Sequence, residues 1–245
     1  MKKLLFIILA LTYNVDLFAQ QETFEGVLTY GRKFYANSKR IDTQDPNIPP
    51  TMSYTVKSPL SLAEIATEKD YMAAMNYSVI VDSEKKEATM LARIAAQKMA
   101  VKFEPSFFNK DKLYSFAAAN DGRVRVIAGM NCTLGYALIE SEFGTTDSMR
   151  VWYTQDYQGI PYMFQTIGAP GLIVSMQQDE FSYWELTEMK KEAIDPSRFE
   201  IPSDFVPMTQ LELQDFLFTL DQLKIEEEVD PMEKRGNEIT HEKED

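Results

Sequence analysis

"RVRVIAGMNCTLGYALIE", residues 123–140, decides the fold. Val124 and Val126 alternate with Arg123 and Arg125, and Gly129 permits a tight turn. Cys132, Leu134, Tyr136 and Leu138 then share one face at the period of two that an extended chain imposes. Two alternating runs joined at a glycine predict a β-hairpin. The signal recurs on both sides. "TFEGVLTYG" (23–31) sets Phe24, Gly26, Leu28 and Tyr30 against Glu25, Val27 and Thr29. "YSVIVD" (77–82), the turn-like "SEKKE" and "ATMLARI" (88–94) read as a further hairpin. "SMRVWYTQD" (148–156), "GLIVSMQ" (171–177) and "FSYWELTE" (181–188) continue the pattern. No strand–helix–strand repetition suggests a parallel sheet, so the expectation is a mainly β chain built on an antiparallel sheet.

Helical signals are few. Thr209 and Glu212 stand at capping-box spacing, and Leu213, Phe216, Leu217, Leu220 and Leu223 follow at helical spacing. They predict a C-terminal helix over about 210–226. Residues 61–75 and 92–100 read equally as helix or strand. Pro49-Pro50 marks a loop near 37–51, and 103–122 reads as a long connection rich in aromatics.

Both tryptophans sit in strands with bulk on both faces. Trp152 alternates with Val151 and Tyr153, and Trp184 alternates with Tyr183. A sheet with one solvated face would alternate bulk with polar groups. The second face is therefore expected to be sheltered by the C-terminal helix, the 103–122 segment or a bound apolar ligand. Leu134, Tyr136, Leu138, Val151, Trp152, Tyr153 and Trp184 are the candidate ligand-binding residues.

Residues 1–19 carry Lys2 and Lys3, an apolar run from Leu4 to Leu11 and the small residue Ala19. That order predicts a secretory signal peptide cut near Ala19-Gln20. The run is shorter than the roughly 20 residues a membrane helix needs, and no transmembrane segment is expected. Residues 20–226 suit a single domain with the helix at its end. From 227 to 245 acidic residues dominate with few large apolar ones, which predicts a disordered acidic tail. The net charge of −13 over the whole chain disfavours nucleic acid as a partner.

Chemistry is sparse. The single histidine, His241, lies in the expected tail. Histidine-based nucleophilic catalysis and zinc ligation both lack their usual groups. No phosphate-loop or nucleophile-elbow motif occurs, and no catalytic residue, metal or cofactor is expected. A glycosidase working through carboxylates alone needs no histidine and stays open. The lone Cys132 on an apolar strand face reads as a small buried hydrophobe.

Several short motifs occur together in order. "IAGMNCTLGYALIE", "SVIVDSEKKEATML", "RVWYTQDYQGIPYMF", "FEIPSDF" and "FEGVLTYG" resemble segments of a bacterial exported family, domain of unknown function 4412. The resemblance spans about 24–206. Met130 stands where that family has an aromatic, and the C-terminal helix and tail are additional. The resemblance implies a LolA-like half-barrel, a curved antiparallel sheet whose better-known members carry lipids or lipoproteins across the periplasm. It implies a periplasmic or secreted, non-enzymatic carrier of an apolar ligand, such as an acyl chain or lipoprotein. The alternative is an envelope interaction or scaffold protein whose helix docks on a protein partner.

Overall fold

The computed structural model describes residues 22–36, 39–41, 50–65, 77–94, 97–109, 113–140 and 145–219. The expected signal peptide and acidic tail lie outside them. Among the described residues fifteen strands form one sheet: β1 (Glu25–Ala36), β2 (Lys39–Ile41), β3 (Thr51–Lys57), β4 (Leu60–Ile65), β5 (Tyr77–Asp82), β6 (Glu87–Ile94), β7 (Gln97–Lys102), β8 (Tyr114–Ala118), β9 (Val124–Ile127), β10 (Met130–Glu140), β11 (Thr146–Thr154), β12 (Thr166–Ile167), β13 (Leu172–Gln177), β14 (Ser182–Lys191) and β15 (Val206–Thr209). Their order is β12-β8-β10-β11-β13-β14-β1-β3-β4-β5-β6-β7-β15, with β2 beside β1 and β9 beside β10. Pairing is antiparallel except at the two ends, where β12 joins β8 and β15 joins β7 in parallel. The sheet is long, curved and open, and it is antiparallel as the alternating pattern indicates.

The opening hairpin forms as its sequence requires. Ala128 and Gly129 take left-handed φ of 48° and 78°, and Met130–Thr133 pair back onto Val124–Ile127. Two left-handed residues at a two-residue turn match the twist of the flanking strands. Gly26 is dictated by space: a Cβ there would stand 2.0 Å from the Lys190 carbonyl oxygen of the neighbouring strand. The hairpin over 77–94 also forms, as β5 and β6.

Three segments are resolved in favour of strand. Residues 60–65, 87–94 and 97–102 are all extended, which settles the described parts of the two ambiguous stretches. The 103–122 segment is not wholly a connection, because residues 114–118 form β8 and pair with β10. In the 37–51 segment, residues 39–41 pair with β1. The helix is present over 210–219, and 220–226 lie outside the described residues. Its capping box is made: Glu212 accepts from the Thr209 backbone N–H at 2.6 Å, and Thr209 Oγ1 accepts from the Glu212 N–H at 3.2 Å.

Each face of the sheet has its own cover. Leu62, Ile80, Leu91 and Ala100 pack on one face against Ile194 and Phe199, with Phe205 beside them. The 192–205 segment therefore shelters this outer face. It is pinned at Ile194, whose N–H donates to Glu25 (2.8 Å) and whose carbonyl accepts from Lys57 Nζ (2.6 Å). The described residues of the C-terminal helix are not part of this cluster: Leu211, Leu217 and Phe218 are exposed, and Leu213 and Phe216 are half-buried. The opposite face carries the larger core, built on Leu28, Tyr30, Met52, Tyr54, Val151 and Trp184.

Candidate ligand-binding cavity

The cavity follows from pairing register. Along one face, Tyr54 stands beside Ala63 and Ala63 beside Val79, which stands beside Met90. On the other half of the sheet Val151, Met176 and Trp184 share a row in the same way. Because the sheet is curved, side chains from both halves meet over this face. They enclose a cavity of about 420 Å³, within the range of about 300–1,000 Å³ usual for small-molecule sites.

The lining is apolar and soft. Met52, Met90, Met149 and Met176 supply four thioethers, with Ile65, Val79 and Val81 between them. Methionine has three rotatable bonds and a polarisable sulfur, so such a wall reshapes around its contents. The polar groups are neutral: Ser61, Tyr77, Tyr114, Gln165 and Gln178. Burial raises the Tyr77 and Tyr114 phenols above their ordinary range, and Asp147 adds to the rise at Tyr114. Trp184 Nε1 donates to Gln178 Oε1 at 3.2 Å, which fixes the indole against the wall.

Two segments close the open side. The first follows β7, and its described residues 103–109 lie over the concave face, while β8, the next described strand, stands near the opposite end of the sheet. Phe103 and Phe107 on it line the cavity and stack at 4.6 Å between ring centroids. The second runs from β11 to β13, and its Tyr162 and Phe164 also line the cavity. Phe108 meets Tyr162 edge-on at 4.9 Å, which joins the two segments. Phe164 packs edge-on against Tyr30 at 5.2 Å and Tyr54 at 5.4 Å, and its N–H donates to the Tyr54 hydroxyl. Tyr162, Phe164 and Gln165 hold φ of 61°, 51° and 58°. Three left-handed residues with bulky side chains store local strain, which clusters at ligand clamps and switch regions.

The seven residues chosen from the sequence divide by face. Trp184 lines the cavity. Val151 and Tyr153 point to the same side but lie in the packed core, Tyr153 edge-on to Phe116 at 5.0 Å. Leu134 pairs with Trp152 and both point to the other side. Tyr136 and Leu138 follow Leu134 by period two and share its face. There Arg125 lies 6.0 Å from the Trp152 ring centroid and pairs with Glu185 at 3.0 Å. Cys132 is fully buried, with its thiol pushed up to about 11 by burial. The four methionines and the Tyr162 and Phe164 cover were missed, whereas Phe103 and Phe107 belong to the 103–122 segment named as one possible shelter. Period-two alternation groups them by face but does not say which face is concave.

No protein-family model matches the chain, and no curated protein does. Among solved structures it is similar to PNGF-II in a P21 crystal form, with TM-score 0.53 and 16% identity over 79% of this chain and 33% of that one. The C2 form of PNGF-II gives TM-score 0.51 and 14% identity over 78% and 32% of the two chains. The chain thus spans about a third of the length of the protein it matches. At these identities the likeness shows a shared fold and nothing further.

Proposed function

We propose that this protein is a non-enzymatic, extracytoplasmic binder or carrier of an apolar ligand such as an acyl chain. The carrying observation is the 420 Å³ cavity walled by methionines and aromatics and crossed by two joined segments. The apolar lining favours transfer of an apolar body from water, at roughly 25 cal/mol per Å² buried. The basic head and apolar run of residues 1–19 support export, and the motif resemblance to an exported family supports the same reading. The test is displacement of an environment-sensitive apolar dye, with Ala63→Trp as the blocking variant. Ala63 lines the cavity, so an indole there should lower dye affinity at least tenfold without lowering the melting temperature. Equal dye binding by the blocked protein would place the site elsewhere.

A second reading, an envelope scaffold, draws on the 210–219 helix. Leu211, Leu217 and Phe218 expose an apolar side there, which is what a helix seated in a partner's groove presents. Native mass spectrometry of protein taken from its own cells separates the two. A co-purifying lipid mass favours the carrier, and a second polypeptide favours the scaffold.

A further inference from the structure

We propose that the ligand is an uncharged amphiphile: an apolar body with a neutral hydrogen-bonding head, such as a hydroxyl, ester or amide, in place of a carboxylate or phosphate. This rests on the carrier reading and specifies the chemistry of the same cavity. Among the described residues no charged side chain lines it. A carboxylate buried among these described groups would lose hydration with no described cation in the lining to replace it, which is a costly burial. A hydroxyl or amide loses far less and finds partners. Ser61, Gln165, Gln178 and the phenols of Tyr77 and Tyr114 each donate and accept.

The surrounding electrostatics point the same way. Burial raises the Tyr114 phenol and the Asp147 carboxylate adds to the rise, so Asp147 would also oppose an anion placed beside that phenol. The cation stacked on the wall is Arg32, 5.7 Å from the Trp184 ring centroid. Arg32 does not line the cavity, and its Nη2 already donates to Asp179 at 3.4 Å and to Ser182 Oγ at 3.1 Å. It arrives with its own counter-ion. Its Nε is buried without a hydrogen-bond partner, which makes Arg32, among the described residues, the cation to test as an anion's partner.

The experiment titrates the unaltered protein calorimetrically with decanol and with decanoate, from pH 8 to pH 6. At pH 8 decanol should bind at least tenfold more tightly. Decanol affinity should be flat with pH. Decanoate affinity should rise by about tenfold per unit as pH falls, because only the protonated acid enters and its fraction grows tenfold per unit above the carboxyl range. Decanoate binding as tight as decanol at pH 8 and flat with pH would overturn the proposal, and its loss in Arg32→Gln would place the anion site at Arg32. Absence of binding by both probes, together with failure of the apolar dye, would overturn the carrier reading and this inference with it. Dye binding without decanol binding would overturn this inference alone.

Discussion

Tyr30→Phe tests a buried bond that reaches from β1 across β14 to β13. Tyr30 is fully buried, and its hydroxyl donates to the Ile173 carbonyl at 2.6 Å. Tyr30 lies on β1 and Ile173 on β13, with β14 between them. In a flat sheet these strands would stand about 9.6 Å apart, twice the usual spacing. The register skips a residue at this place: Trp152 pairs with Ser175, and Tyr153 pairs with Ile173. Such a bulge disrupts the ladder locally, and a buried carbonyl beside it needs another donor. The tyrosine hydroxyl supplies one. Phenylalanine keeps the edge-on contacts with Tyr54 and Phe164 at 5.9 and 5.2 Å and removes only the donor. An orphaned buried acceptor costs about 1–3 kcal/mol. A domain of this size loses about 2–4 °C per kcal/mol, so the melting temperature should fall by roughly 2–12 °C at pH 7. The variant also carries a pH signature. Burial raises the Tyr30 phenol well above its ordinary value. The unfolded phenol, ionising near pH ~10, therefore gives up its proton first. Stability from this group is intact below that pH and is lost as pH rises beyond it, so the gap between variant and parent should narrow in alkali. A melting temperature unchanged within a degree at pH 7, with no narrowing in alkali, would refute the argument.

Other outcomes follow from single sites. Cys132 should react slowly with a thiol reagent in the native protein and quickly after unfolding, because burial leaves little thiolate at neutral pH; rapid native labelling would place it at the surface. Cys132→Ala should fold and lose about 1–2 kcal/mol in denaturant titration. Gly135→Ala should cost about 1–3 kcal/mol, since the new methyl would stand 2.5 Å from the Phe116 ring and force it off Tyr153; an unchanged denaturant midpoint would show that the ring yields freely. Removing residues 210–245 should change the melting temperature by no more than a few degrees, because the described helix exposes Leu211, Leu217 and Phe218 and buries no side chain fully; a larger drop would mean that the helix docks on the sheet.

The strand pattern was legible because alternation is a local property. Residues 123–140 and 77–94 carry both the period and the turn chemistry and pair as their sequences indicate, and 23–31, which carries the period alone, is extended. The cavity was less legible because it depends on register. Trp152 and Trp184 give the same signal, bulk flanked by bulk. Pairing then sets Trp152 opposite Ser175 and next to Glu185 in the row, while Trp184 falls in line with Met176. The two indoles thus end on opposite faces, and nothing local to either strand decides this. The cover was legible only in part. The aromatics of 103–122 marked that segment as one of three possible shelters, but Tyr162 and Phe164 lie in a connection with no periodic signal. The shelter of the outer face came from Ile194, Phe199 and Phe205 in the 192–205 segment, which lacks any periodic pattern.

The central claim is that the methionine-walled space receives an apolar ligand. Methionine methyl spectra measured during titration with decanol test it most directly, because the controls lie in the same molecule. Met52, Met90, Met149 and Met176 line the cavity, whereas Met99 is fully buried and absent from the lining. The account predicts saturable shifts at the four lining methyls with one common affinity, little change at Met99, and loss of all four in Ala63→Trp. Shifts absent at the four, or equal at Met99 and unaffected by Ala63→Trp, would contradict it.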